Sequence, residues 1–498
     1  MKYSIKTNCT MNQKKAIVIG CGIAGLATAI RLSAKGFKVQ VHEKNSYPGG
    51  KLSHFEKEGF QFDAGPSLFT QPEQVTDLFE LCGEKAESYF TYTRANLACK
   101  YFFESGKTVH AYAKPDDFAQ EIATKLGENK TKVLQYLQTS QNTYLHIGQL
   151  FLDYPIGSLF KLPFHKIVKA FQATKLSFLF NALSTYNHNQ FSKPETVQIF
   201  NRFATYNGSN PFKAPAMLSM IPHLEQNEGT FYPFGGMISI TNALYLLALK
   251  QNIDFVFNSN VTAIHVEGKQ AKSIIANGKE IDADLIVSNM DVYYTYKYLL
   301  NEELKAKHIL KQERSSSAII FYWGMNRSFP ELDLHNIFFT QNYKKEFSAI
   351  FDTMEMYDDP TIYINITSKM EDNQAPPGCE NWFVMVNAPH DIGQNWEELR
   401  ASCKTNVIQK LNRILKTNIA QHIQTEDFLD PPAIDSKTSS YTGSLYGTSS
   451  NSKFAAFLRH PNQSKNIDNL YFVGGSVHPG GGIPLCLRSA KIVSDLIS

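Results

Sequence analysis

Lys15 to Ile19 form a short, mostly apolar run, glycines stand at 20, 22 and 25, and Ile23, Leu26, Ala27, Ile30 and Leu32 then recur at helical spacing. A short apolar run giving way to a 3.6-residue period predicts a strand, a turn and a helix. Gly36 ends that helix, and Phe37 to His42 reads as a second strand. Val261 to Val266 and Ala283 to Asn289 read as further strands that complete a parallel sheet, interrupted by long insertions. Near the C-terminus Asn469 to Val473 is a strand entering a glycine turn, and a last helix starts near Pro484. Strands alternating with helices around a parallel sheet predict the α/β class.

The length of 498 residues predicts several domains or one large interleaved body. With 43% hydrophobic and 19% charged residues, the chain has a large interior and is not disordered. Lys plus Arg number 49 against 46 Asp plus Glu, so no global basic field exists to hold nucleic acid. Aromatic residues reach 12%, which suits either a big core or the enclosure of a large apolar ligand. The seven cysteines are scattered with no CxxC, and the fourteen histidines form no HExxH, so neither disulfides nor a metal centre is indicated. Lys14-Lys15 before an apolar stretch imitates a secretion signal, but regular glycines interrupt it and the periodicity continues past the cleavage-like Ala27-Thr28-Ala29. No run reaches the roughly 18 apolar residues of a membrane span. A reducing, cytoplasmic setting is expected, and residues 1–10 carry no pattern.

The chemistry begins at Gly20, Gly22 and Gly25. In GxGxxG the first glycine permits the tight turn, the second lets backbone approach a pyrophosphate, and the third lets helix pack closely on strand. The phosphates then meet the helix N-terminus, where unpaired N–H groups and the positive dipole end converge. Glu43 follows Gly25 by 18 residues, close to the roughly 20 expected of an acid that grips a ribose hydroxyl. A carboxylate there repels a 2′-phosphate, so the expected ligand is an adenine dinucleotide without one. Gly49-Gly50-Lys51, the Asp63-Ala64-Gly65-Pro66-Ser67 stretch and the glycines at 474, 475 and 480–482 imply backbone lying against something flat, and point to FAD. The last helix would aim its N-terminus at that ligand.

These segments together resemble the bacterial phytoene desaturase type of carotenoid desaturases, in one FAD-binding superfamily with amine oxidases and carotenoid isomerases. The resemblance covers essentially the whole chain and rests on GCGIAGLATAIRLSAKGFKVQVHEKNSYPGGK (20–51), DAGPSLF (63–69), YNGSNPFKAPAM (206–217), FYPFGGM (231–237) and NLYFVGGSVHPGGGIP (469–484). Lys51 departs from the arginine often found there, and Val477 from the usual threonine. RFATYNGSNPFKAPAM (202–217) resembles the hydroxycarotenoid 3,4-desaturase branch, which includes methoxyneurosporene dehydrogenase-like enzymes.

The resemblance implies a Rossmann-like FAD-binding domain from 11–75, 235–300 and 460–498, interleaved with an α+β substrate-binding region from 76–234 and 301–459. It implies that Glu43 holds the adenosine ribose, that Lys51 and the Ser67-Leu68 backbone approach the flavin, and that Val261 meets adenine through its main chain. Asn289, Leu445, Gly475, Gly482 and Ile483 would line the rest, with Ile23, Ala24, Lys44, Gly49, Gly50, Leu52, Gly65, Pro66, Gly474 and Gly481 as further contacts. The implied substrate is a long polyene, an acyclic 1-hydroxycarotenoid, desaturated by hydride transfer to flavin; a quinone or oxygen would reoxidise it. Phytoene desaturation, carotenoid isomerisation, terminal oxygenation and a non-catalytic lipid escort are the alternatives.

His223 and Glu225, just before FYPFGGM, are the polar candidates for accepting a proton. Between Tyr154 and Pro194 there is no Asp or Glu, while five lysines interleave with phenylalanines. Residues 155–183 thus read as an amphipathic segment, either lying on a membrane surface or packing on the core.

Overall fold

The computed structural model describes residues 13–155, 178, 181–452 and 459–497. Residues 1–10 lie outside these, as does nearly all of the 155–183 segment expected at a membrane surface.

A five-stranded parallel sheet runs in the order Leu470–Phe472, Leu285–Ser288, Lys15–Ile19, Lys38–His42 and Asp254–Val256. Its centre is registered Val18 to Val287 on one side and Val18 to Val41 on the other. The alternation of side chains explains why every residue of Ala16–Ile19 is apolar. Ala16 and Val18 enter one core with the helices Ile23–Ala34, Ile238–Lys250 and Ile483–Leu496, while Ile17 and Ile19 enter another beneath a small antiparallel sheet. A parallel strand covered on both faces has no polar side.

That small sheet corrects one expectation. Val261–Glu267 does not join the parallel sheet; it pairs antiparallel with Gln270–Ala276, which pairs with Lys279–Asp282. The reason is visible in its side chains: Thr262, His265 and Glu267 are exposed while Val261 and Ile264 are buried. A strand with one wet face suits an antiparallel layer, not the doubly covered one. The short strand Asp254–Val256 takes the edge position beside Lys38–His42 instead.

The second large element is a seven-stranded sheet in the order Ile423–Leu429, Ser317–Met325, Glu380–Ala388, Ile362–Ile366, His335–Phe338, Leu97–Phe102 and Thr108–Tyr112. All nine residues of Ser317–Met325 are buried. Ile319, Phe321, Trp323 and Met325 pack toward the helix Trp396–Leu415, and Ala318, Ile320 and Tyr322 pack to the opposite side with Phe60, Phe62 and Phe383. Among the described residues no helix is long and apolar enough to cross a membrane.

Candidate active site

The turn after the first strand is as tight as its glycines allow. Gly20 sits at φ +94°, and its N–H donates to the His42 carbonyl at 2.8 Å. A Cβ on Gly25 would stand 2.1 Å from the Gly20 carbonyl oxygen, so helix and strand touch through backbone at that point. Gly22 caps the helix without a side-chain acceptor, which leaves the first-turn N–H groups for a ligand. Gly482, at φ +106°, caps the C-terminal helix in the same way, and a Cβ there would meet no protein atom within 4 Å.

Asn289 joins the two glycine turns. Its Nδ2 would be 2.8 Å from a Cβ on Gly22, and its Oδ1 2.8 Å from a Cβ on Gly474. Its Nδ2 also reaches the Gly20 carbonyl at 3.4 Å. Glu43 is buried, with Oε2 accepting from the Cys21 N–H at 2.7 Å and Oε1 from the Asn45 N–H at 2.9 Å. The carboxylate is thereby held rigidly at the end of its strand. Lys51 donates to the Leu445 carbonyl at 3.0 Å, which ties 51 to a residue 394 positions away. Burial pushes its ammonium down to about 8, partly offset by the charge of Asp291.

These groups open onto one cavity of about 1070 Å³. Every cofactor contact expected from the sequence lines it, with the exception of Gly25, whose role is packing. Ser259 and Asn260, next to Val261, line it as well. No pattern marks them, because they lie in a turn brought beside Glu43 by a hydrogen bond from the Ser259 N–H to the Glu43 carbonyl.

The same cavity continues along the seven-stranded sheet. Ile320, Tyr322, Ile337, Phe383, Met385 and Leu429 form an apolar wall, and Arg202, Tyr206, Glu225, His335 and Tyr363 add a polar stretch. Ser67 meets Tyr363 hydroxyl to hydroxyl at 2.8 Å, and that hydroxyl lies 2.8 Å from His335 Nδ1. Burial pushes the His335 imidazole down to about 4, so it is neutral near pH 7. Sequence reasoning singled out Glu225 and Ser67 but missed Arg202, Tyr206, His335 and Tyr363, because they come from separated strands and short helical turns.

The two proton-acceptor candidates separate. His223 does not line the cavity: its ring packs on Tyr144, Nδ1 lies 2.9 Å from Asn227 and Nε2 3.3 Å from Glu228. Glu225 does line it, but Arg202 Nη2 donates to both its oxygens at 2.5 and 2.6 Å, and Tyr206 and Gln226 also donate to it. Away from the cavity, two acidic residues before Pro360 are held by ion pairs, Asp352 with Lys213 and Asp359 with Lys410.

Residues 23–498 match the family model of flavin containing amine oxidoreductases. The chain belongs to that family. It is 49% identical over 97% of its length to a 1-hydroxycarotenoid 3,4-desaturase of Flavobacterium sp. (strain P99-3), 99% of which is covered. It is 32% identical to a 4,4'-diapolycopene oxygenase of Methylomonas sp, with 98% of each chain covered. Among solved structures, an oxidoreductase from Methanosarcina mazei shares the fold with a TM-score of 0.66 at 15% identity, covering 97% of this chain and all of that one. As in other flavin containing amine oxidoreductases, the cofactor is a flavin, and the cradle fits FAD: uncapped helix N-termini for the pyrophosphate, a fixed carboxylate for the ribose, and an open glycine face at 482.

Proposed function

We propose that the protein is an FAD-dependent desaturase that introduces the 3,4 double bond into an acyclic 1-hydroxycarotenoid. The observation that carries this reading is the continuity of one cavity from the dinucleotide cradle to an apolar, aromatic-walled stretch. The 49% identity to the Flavobacterium desaturase supports the substrate class. Gly20, Gly22, Glu43, Lys51, Ser67, Val261, Asn289, Gly475 and Ile483 would hold FAD, with the pyrophosphate on the Ile23–Ala34 helix.

When bound, the flavin supplies a hydride acceptor. What the chain does is orient and dehydrate. Ile320, Tyr322, Phe383 and Met385 offer only dispersion and π contact, so they align a polyene without competing for its electrons and keep water from the reacting carbons. Carbon beside a polyene loses hydride readily because the resulting cation is delocalised, and the neighbouring proton, strongly acidic in that cation, would pass to solvent without a strong protein base to make the new double bond. His223 is not among the residues that line the cavity, and Glu225 already accepts from several donors.

The polyene would be drawn from the bilayer, with the lysine-rich 155–183 segment resting on the lipid surface, and a quinone or oxygen would take the electrons onward. Flotation with anionic liposomes that is lost on deleting this segment supports the membrane contact; unchanged behaviour removes it. The test of function is anaerobic incubation of flavin-loaded protein in liposomes with a 1-hydroxylated acyclic carotenoid, following flavin bleaching and the polyene spectrum together. Bleaching with a red-shifted product is expected. No bleaching overturns the proposal, and an oxygenated product formed only in air would favour the terminal oxygenation named for the Methylomonas relative.

A further inference from the structure

Within the apolar cavity stands one ion pair that an all-hydrocarbon ligand gives no reason to keep. Arg202 and Glu225 both line the cavity, 7% and 1% exposed. The guanidinium is fixed on three sides. Nε and Nη2 donate to the Tyr101 hydroxyl at 3.0 and 2.7 Å, and Nη2 to both oxygens of Glu225. The ring of Phe203 lies against its face, 4.4 Å from centroid to Cζ, with Tyr101 and Tyr206 around it.

Nη1 is the exception. The bonds to Tyr101 and Glu225 use only Nε and Nη2, which leaves Nη1 outside them on a residue that lines the cavity, with the Tyr206 ring beside the guanidinium. A guanidinium is always charged and only donates. A donor in an apolar cavity, left unpaired when the cavity fills, costs binding free energy; an oxygen placed against it recovers that loss. Thr205, whose hydroxyl donates to the Arg202 carbonyl, also lines the cavity and has lone pairs for an incoming O–H. Tyr363 and Ser67 connect this stretch to the cradle, so the corner belongs to the ligand path.

We propose that Arg202, through Nη1, receives the hydroxyl oxygen of the substrate and sets the preference for a hydroxylated polyene over the corresponding hydrocarbon. The proposal rests on the desaturase reading above and adds the residue that reads the oxygen. Glu225, Tyr101 and Phe203 are positioning residues: they hold the guanidinium so that one nitrogen remains for the ligand.

The test compares kcat/KM for a 1-hydroxylated acyclic carotenoid with that for the hydrocarbon of the same skeleton. The wild type should prefer the alcohol by about 100-fold, the upper range for one hydrogen bond to a charged group. In R202K the single ammonium is taken up by Glu225, and nothing remains at the Nη1 position. The preference should fall to within about fivefold, a loss of about one charged hydrogen bond. A purely structural role would lower both substrates together and leave the ratio unchanged, which overturns the proposal. Should R202K fail to load flavin, R202M/E225M removes both charges and is read the same way. Independently of any variant, a tertiary terpenoid alcohol should inhibit the wild type about tenfold more strongly than its hydrocarbon; equal inhibition overturns the proposal. If the wild type turns over both carotenoids equally, the desaturase reading stands and this inference falls. If it turns over neither, the functional reading itself fails and takes the inference with it.

Discussion

Gly25→Ala tests whether the contact between the first strand and the first helix is what places the helix N-terminus for the phosphates. A Cβ at 25 would lie 2.1 Å from the Gly20 carbonyl oxygen, 3.0 Å from Asn289 Nδ2 and 3.2 Å from the Gly20 carbonyl carbon. Real Cβ atoms essentially never approach closer than 3.0 Å, so about 1 Å must open between two pieces of backbone, neither of which can swing aside as a side chain can. Overpacking of this kind costs about 1–3 kcal/mol, against which alanine regains about 1 kcal/mol of helix propensity. The net stability loss is therefore small, about 1 kcal/mol. The effect on FAD is expected to be larger, because the opening separates Gly20 and the N–H groups behind Gly22 that together would face the pyrophosphate. We expect FAD affinity to fall at least about 30-fold, or about 2 kcal/mol. The assay is fluorescence titration of the apoprotein with FAD, beside a thermal melt without FAD. Gly36→Ala is the control: Gly36 is at φ +88° with no atom within 4 Å of its would-be Cβ, so it carries backbone strain of about 1–2 kcal/mol but no contact with the cradle. If G25A binds FAD as tightly as G36A, close helix-to-strand packing is not what shapes the phosphate site.

Three further outcomes follow from the geometry. Glu43→Gln replaces one of the two oxygens that receive the Cys21 and Asn45 N–H groups by a donor, and should weaken FAD about 10- to 100-fold in the same titration; unchanged affinity would place the ribose elsewhere. His335 is held neutral by burial, with its folded pKa at about 4 below the ordinary 6.5, so its stabilisation is present above pH 6.5 and is lost as pH falls toward 4. Comparing chemical denaturation at pH 7 and pH 4, the wild type should lose about 3 kcal/mol more than H335Q, since other groups titrate alike in both; equal losses refute the assignment. Ile320→Trp fills the apolar stretch from a buried strand position, and should remove polyene turnover while flavin content stays within about twofold; retained turnover would put the polyene on another path.

The local part of the site is legible in the chain because its physics is local. Strand, glycine turn and helix over 15–34 are contiguous, and the residues at 20, 22 and 25 are small for reasons of backbone geometry that each glycine states by itself. Glu43 is readable as well, since a two-strand unit of ordinary length delivers it to the end of the adjacent strand. Val261 shows the limit of that reasoning. Its strand looks like its parallel neighbours until the wet face of Thr262, His265 and Glu267 is taken into account, and only the packing shows the edge position filled by Asp254–Val256.

The far half of the cavity was decided by tertiary structure alone. Arg202, Tyr101, Glu225, His335 and Tyr363 carry no spacing in common, because strands from three separated stretches and two short helical turns converge there. His223 and Glu225 are two residues apart in sequence, yet one packs on Tyr144 outside the cavity and the other meets Arg202 inside it. Sequence proximity determines which residues share a turn; the direction each side chain takes depends on what the rest of the chain has packed against that turn. Composition and motif determined a dinucleotide-binding α/β protein with room for an apolar ligand, whereas the join between cradle and apolar wall, and the place of the Arg202–Glu225 pair beside it, exist only in the folded chain.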